Sequence, residues 1–227
     1  MPRETLDRQI KEIRDNILVL SSMVEDATIK SIEYLKNRNI ENARELFFGD
    51  EKINKKRFDI ESACLITIAT QQPMAHDLRI LSSALEVITD LERMGDYAKS
   101  IARTTVNTGN EPLLKPLIDV PRMAEIATGM LHRAVEAFVE EDVDQARNIP
   151  KDDEEVNALY QQVHRELLTF MLADPRIIDR AESLLRVAQK LERFADRVSN
   201  ICERTVFVAT GEMKEFDAEL EASKLEN

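Results

Sequence analysis

A chain of 227 residues with a third of its side chains charged, five glycines and no tryptophan has the composition of a long-helix protein, and its length allows two similar halves. The net charge of −12 argues against nucleic acid as a partner and against attraction to anionic lipid head groups by charge alone; it suits cations or a basic surface on another protein. No apolar run approaches ~18 residues, and the opening Met-Pro-Arg-Glu-Thr is not a basic-then-apolar signal segment, so the expectation is a soluble, cytoplasmic protein.

Thr5 is suited to cap a first helix, in which Leu6, Ile10, Ile13, Ile17, Leu20, Val24 and Ala27 follow at alternating three- and four-residue steps. The pattern passes Ile32 and Leu35 and stops near Asn37–Asn39. A second helical region starts about Ile40, passes Gly49, and continues through Ile53, Phe58, Ile60, Cys64 and Ile68. It ends at Gln71-Gln72-Pro73, because the residue before a proline avoids helical geometry. A third helix is expected from about His76 to Thr108. Gly109, Pro112, Pro116 and Pro121 then mark a joint. A fourth helix carries Met123, Ile126, Met130, Ala134 and Ala137, and Pro150 is a break or a first-turn proline. From Asp152 a fifth helix carries Val156, Leu159, Val163, Leu167 and Phe170 to Ala173-Asp174-Pro175; a sixth ends near Gly211. The expected class is all-α, two tandem, sequence-related antiparallel three-helix bundles at 1–110 and 120–213, with a Pro-rich joint at 111–119 and an acidic tail at 214–227.

The third and sixth helices are one sequence written twice. At an offset of 100 positions, Leu85/Leu185, Val87/Val187, Leu91/Leu191, Glu92/Glu192, Arg93/Arg193, Asp96/Asp196, Ile101/Ile201, Thr105/Thr205 and Val106/Val206 are identical. Amphipathic helices matched by chance share apolar positions, not Glu-Arg-x-x-Asp in register, so this is a duplication. Ile88, Leu91, Gly95, Ala98 and Ala102 form one packed face, as do Ala188, Leu191, Ala195, Val198 and Cys202.

Beside that face, Glu92 and Asp96 lie one turn apart, and Glu192 and Asp196 repeat them. Aligning Ile53 with Val156 puts Asp50 on Asp153 and Asn54 on Asn157, so each half also has an Asp-x-x-x-Asn stripe. Two such stripes, if they converge, offer four oxygen donors without sulfur or imidazole, which is a hard-cation environment. Solvated acidic helix faces, with Asp50 and Asp153 simply favoured at helix N-termini, are the plainer alternative. A neutral asparagine carbonyl also holds a cation less well than a carboxylate.

No catalytic signature appears. His76, His132 and His164 are scattered, and none follows a glutamate by three residues, so the Glu-x-x-His ligand set of di-iron bundles is missing. No His-Glu-x-x-His, phosphate-cradling glycine loop or nucleophile elbow is present either. Cys64 and Cys202 are expected to be buried, reduced thiols.

Glu92-Arg93-Met94-Gly95-Asp96 and Glu192-Arg193-Phe194-Ala195-Asp196 resemble the duplicated E(D)xxxD motifs of the PhoU family of phosphate-uptake regulators. Gln71-Gln72-Pro73-Met74-Ala75-His76-Asp77-Leu78-Arg79 is similar to the family's Q-x-P-x-A-x-D-L-R segment, and the resemblance extends through the joint to Thr210-Gly211. It implies two three-helix bundles in tandem and a negative regulator rather than an enzyme. Such a regulator restrains the high-affinity phosphate ABC transporter, through its ATPase subunit, and a phosphate-sensing histidine kinase. It also implies metal ions, among them iron clusters, on surface carboxylates: here Asp50, Glu92 and Asp96, then Asp153, Glu192 and Asp196. Asn54 and Asn157 stand where many members have aspartate. Family precedent suggests a homodimer. Asp77 and Arg79 are candidates for partner contact, or for a structural pair at the start of the third helix. A metal-free helical adaptor with solvated acidic faces is the rival reading.

Overall fold

The computed structural model describes residues 2–213 and residue 216. The chain forms eight α-helices over the described residues: α1 (Pro2–Asn37), α2 (Ile40–Gly49), α3 (Glu51–Gln71), α4 (His76–Thr108), α5 (Asp119–Glu140), α6 (Val143–Asn148), α7 (Asp153–Ala173) and α8 (Ile178–Thr210). Single 3₁₀ turns occupy Ile149–Asp152, around Pro150, and Pro175–Ile177. The expected tail from 214 to 227 lies outside the described residues apart from Phe216.

The halves are two three-helix bundles, and they share a core. α1 packs on both α4 and α5, and α8 packs on α4, α5 and α7, so α1, α4, α5 and α8 form a central four-helix layer. The α2–α3 arm flanks α1 and α4, while α6 and α7 flank α5 and α8. The stripe read from the sequence of α1 is buried as expected, with Ile17, Leu20 and Val24 fully enclosed. The repeat's packed face is equally dry at Leu91, Ala98, Ala102, Leu191, Ala195, Val198 and Cys202. Small residues at these positions leave room for the helices packed against them, as Gly95 does for Ile53 of α3. Both cysteines are buried and free, and burial pushes each thiol up to about 12.

Three local expectations need correction. α1 begins at Pro2 rather than after a Thr5 cap, which suits proline's tolerance of the first helical turn. The second helical region does not run through Gly49: it divides into α2 and α3 at Gly49–Asp50. Glycine is the weakest helix former apart from proline, and Asp50 restarts the ladder by accepting from the backbone N–H groups of Ile53 and Asn54. Between α5 and α7 the chain inserts α6, capped by Asp142, whose side chain accepts from the Gln145 N–H at 2.9 Å.

The Gln-x-Pro-x-Ala connection is strained. Gln72 and Ala75, on either side of Pro73-Met74, have φ of +50° and +43°. Left-handed geometry at a non-glycine residue costs about 1–3 kcal/mol and persists only where neighbours fix it. Here the start of α4 is fixed on two sides. Asp77 accepts from both terminal nitrogens of Arg3 on α1, at 2.6 and 3.2 Å. Arg79 donates from Nε to the Val208 carbonyl at 3.0 Å, and its guanidinium lies beside Gly211, which takes a φ of +80°.

Candidate functional site

The first carboxylate stripes converge because α4 has no side chain where α3 begins. A Cβ added to Gly95 would stand 3.2 Å from two methyl carbons of Ile53 and 3.9 Å from Asp50 Oδ1. Asp50 is thereby sealed against α4, with 5% of its surface exposed. Its Oδ2 accepts from the Lys99 ammonium at 2.8 Å and from the Asn54 amide at 3.2 Å. Glu92 is half-buried and Asp96 exposed one turn along.

The three acids act on one another electrostatically. Burial, then repulsion from Asp96 and from Asp50, pushes the Glu92 carboxyl above the usual range. Burial, then Asp50, does the same to Asp96, with Lys99, Arg93 and Lys190 pulling the other way. The hydrogen bond to Asp50 raises Lys99, so its ammonium stays charged. A cavity of about 440 Å³ opens beside the pair, between α1 and the α2–α3 arm, with Asp26, Tyr34 and Glu45 on its walls.

The second half repeats the acids with a different residue at the repeat position of the lysine. Asn157 donates its amide to Asp153 Oδ2 at 2.6 Å, as Asn54 does to Asp50. Burial, then Asp196, pushes the Glu192 carboxyl up, and Arg193 offsets part of it. The equivalent of Lys99 is Ser199, and that of Gly95 is Ala195. Arg57, which pairs with Glu61 at 2.8 Å and pulls on Glu92, has Tyr160 as its equivalent.

The first-half stripes therefore meet where α3 packs on α4, and the second-half stripes lie on the equivalent helices, α7 and α8, which also pack together. As placed, the asparagines turn nitrogen, not oxygen, toward their aspartates. Among the described residues no group of three or more His, Cys, Asp or Glu side chains is arranged to hold a metal ion. The donor chemistry still fits a hard cation, and the two halves differ in what stands in its way. In the first half an ammonium already neutralises the most buried carboxylate. In the second half Ser199 stands at the repeat position of Lys99, and an amide rotation of Asn157 would bring an oxygen to the site.

Asp77 and Arg79 do not join these sites. They tie the start of α4 to α1 and to the end of α8, and Asp77 pairs with Arg3 rather than with its neighbour Arg79. Three features escaped the sequence reading. Lys99 is the first, and the mismatch of Lys99 with Ser199 inside an otherwise faithful repeat was its signal. The second is a bridge between α4 and α8, in which Arg197 donates to Asp90 Oδ1 at 2.6 Å and to the Tyr97 hydroxyl at 2.9 Å. The third is Glu141, in the left-handed residue after α5, which takes Arg14 and His76 on its two oxygens.

Comparison with known proteins matches this architecture. A family model described as the PhoU domain matches twice, at residues 17–105 and 120–205. A relative from Aquifex aeolicus, named phosphate-specific transport system accessory protein PhoU homolog, is 36% identical over 208 residues, covering 92% of this chain and 94% of its own. One of the same name from Deinococcus radiodurans is 34% identical, covering 92% of this chain and 98% of its own. The Escherichia coli protein named phosphate-specific transport system accessory protein PhoU is 31% identical, covering 90% and 85%. A crystal structure of the phosphate transport system regulatory protein PhoU from Streptococcus pneumoniae superposes with a TM-score of 0.85 at 29% identity, covering 92% of this chain and 99% of that one. With both halves matched and relatives above 30% identity spanning nearly the whole length, the chain belongs to the PhoU family.

Proposed function

We propose that this protein is a negative regulator of phosphate uptake and of phosphate-starvation signalling. It acts by contact with the ATPase subunit of a high-affinity phosphate ABC transporter and with a phosphate-sensing histidine kinase, at the cytoplasmic side and as a homodimer. The observation that carries this reading is the double family match to relatives named for the phosphate-specific transport system. No helix among the described residues is long and apolar enough to cross a membrane, in keeping with a peripheral partner. Such a regulator needs no reaction. It needs two states of a helical surface whose affinities for a partner differ.

Metal ions, as iron clusters or other divalent cations, belong to the proposal at both sites. Asp153, Glu192 and Asp196, with the Asn157 carbonyl, would hold one in the second half. Asp50, Glu92 and Asp96, with Asn54, would do so in the first only as Lys99 withdraws. A bound cation supplies charge that offsets the repulsion raising Glu92, Asp96 and Glu192, and so fixes the angle between the two helices of each site. The Lys99–Asp50 pair favours a second reading for the first half: an adaptor face neutralised from within, without metal.

Complementation tests the regulator role. In a bacterium lacking its own PhoU-family protein, this chain should restore repression of a phosphate-starvation reporter in phosphate-rich medium. It should also co-purify with the transporter ATPase. A reporter that stays fully induced, with the protein present at normal abundance, would refute it.

A further inference from the structure

One cleft on this acidic protein is basic. Between α4 and α8 a space of about 250 Å³ is lined by Ser100, Arg103, Thr104 and Asn107 from one helix and by Ser183, Arg186 and Lys190 from the other. On each helix these residues recur at three- and four-residue steps, so both present one continuous polar face. Three cations, three hydroxyls and an amide line it, and no acid does. Arg103 makes no ion pair with the described residues. Arg186 reaches Glu182 at 3.2 Å, but both ends are more than half exposed, and such a pair contributes little. Lys190 lies over the Tyr97 ring at 5.1 Å, and its charge pulls down the carboxyl of Asp96, which is outside the lining.

The repeat supplies an independent observation. At the offset of 100, Arg103 corresponds to Glu203, Arg186 to Glu86 and Lys190 to Asp90. The pseudo-symmetry is real in space, since Asp90 meets Arg197 across the α4–α8 seam as Lys190 meets Tyr97. Each cation of the cleft thus has a carboxylate at its equivalent, while the apolar positions between them agree. Helix packing alone asks nothing of these charges. The duplicated seam has diverged into one face that gathers positive charge and one that gathers negative charge.

We infer that the α4–α8 cleft binds a phosphate-type oxyanion, held by Arg103, Arg186 and Lys190 with the hydroxyl of Ser100. Guanidinium groups form paired, charge-assisted hydrogen bonds with tetrahedral oxyanions, and the Ser100 hydroxyl adds a neutral donor. The Thr104 and Ser183 hydroxyls donate instead to the carbonyls of Ser100 and Asp179, at 3.1 and 2.8 Å, and Ser183 Oγ accepts from Arg186 at 2.9 Å. The volume falls below the ~300 Å³ at which drug-sized ligands begin, so the phosphate group itself is what the cleft takes, free or at the end of a larger ester. This inference stands apart from the regulator reading and from the metal sites.

Calorimetric titration of the full chain with inorganic phosphate and, separately, with AMP, against sodium chloride of equal ionic strength, tests it. Saturable binding is expected with phosphate, AMP or both; the tighter arm identifies the free ion or the ester as the source. Arg103→Glu with Arg186→Glu brings in side chains that the fold already carries at the equivalent positions. It should weaken binding tenfold or more, with the melting temperature in chloride unchanged. If that variant melts lower, Asn107→Asp, which removes no cation and adds a carboxylate to the lining, serves instead and should also weaken binding. Absence of saturable heat with both probes, or binding retained in the folded variant, overturns the inference.

Discussion

Replacing Lys99 with methionine would leave the Asp50 carboxylate, whose side chain is 4% exposed, with only the Asn54 amide as a hydrogen-bond donor among the contacts at the site. Breaking a fully buried pair costs about 3–5 kcal/mol, and losing an exposed one about 0–1 kcal/mol. Asp50 is at the buried limit, but a third of the Lys99 side chain is open to water, so solvent screens part of the loss. The expected cost is therefore intermediate, about 2 kcal/mol. In a chain of this length ~1 kcal/mol moves the melting temperature by ~2–4 °C, so a fall of about 4–8 °C is expected. The assay is thermal and denaturant unfolding at pH 7 with chelator present. A companion variant, Asp50→Asn with Lys99→Met, removes both charges and should recover most of the loss, giving a coupling free energy from the cycle. A Lys99→Met protein as stable as the parent would refute internal neutralisation of the first site. Added divalent cation should in turn stabilise Lys99→Met more than the parent, because the competing ammonium is gone.

Other substitutions test other parts of the account. Glu92, Asp96 and Glu192 hold their protons more tightly folded than unfolded, so their stabilising contribution is present below the unfolded values and is lost as pH rises through the raised ones. Glu92→Gln, Asp96→Asn and Glu192→Gln together should raise the melting temperature of chelated protein at pH 7 and have little effect near pH 4. The sign is opposite at Glu141: burial pushes it up, the hydrogen bonds from Arg14 and His76 outweigh burial, and the net value is lowered. Its contribution is present above the unfolded value and lost as pH falls through the lowered one, so Glu141→Gln should destabilise at pH 7 and progressively less toward acid. Gly129 lies within α5 with open space around its Cβ position, so Gly129→Ala should stabilise by about 1 kcal/mol. Gly95→Ala gains the same propensity but presses on Ile53, an overpacking cost of about 1–3 kcal/mol, and should lower stability in denaturant titration. Arg197→Met leaves Asp90 buried at the α4–α8 seam and should speed unfolding measurably in stopped-flow traces.

The repeat made the most important parts of this fold legible. Its register places Glu92, Asp96, Glu192 and Asp196 on equivalent helix positions, and periodicity gives the buried stripe of α1 from Leu6 to Val24, whereas Ala27 is only partly buried and Thr28 is enclosed instead. What periodicity does not carry is the choice of partner for a stripe. The apolar faces of α1 and α8 would satisfy a bundle of three as well as the four-helix layer they form, so the shared core was not visible. The division at Gly49–Asp50 was missed because the apolar pattern continues across it. Lys99 was missed because a lysine three residues beyond Asp96 looks like an ordinary surface charge. Only the α3 approach allowed by Gly95 brings Asp50 within its reach.

The central claim is that the duplicated carboxylates are cation sites on a regulator, and that at the first of them the Lys99 ammonium competes with the cation. Elemental analysis of protein purified without a histidine tag or chelator tests this most directly, beside the variants Glu192→Ala/Asp196→Ala and Lys99→Met. The account predicts bound metal in the parent, less in the Glu192/Asp196 variant, and more than the parent in Lys99→Met. Protein that stays empty after loading with iron or another divalent metal, in the parent and in Lys99→Met alike, would contradict it and leave the acidic stripes as solvated faces of an adaptor.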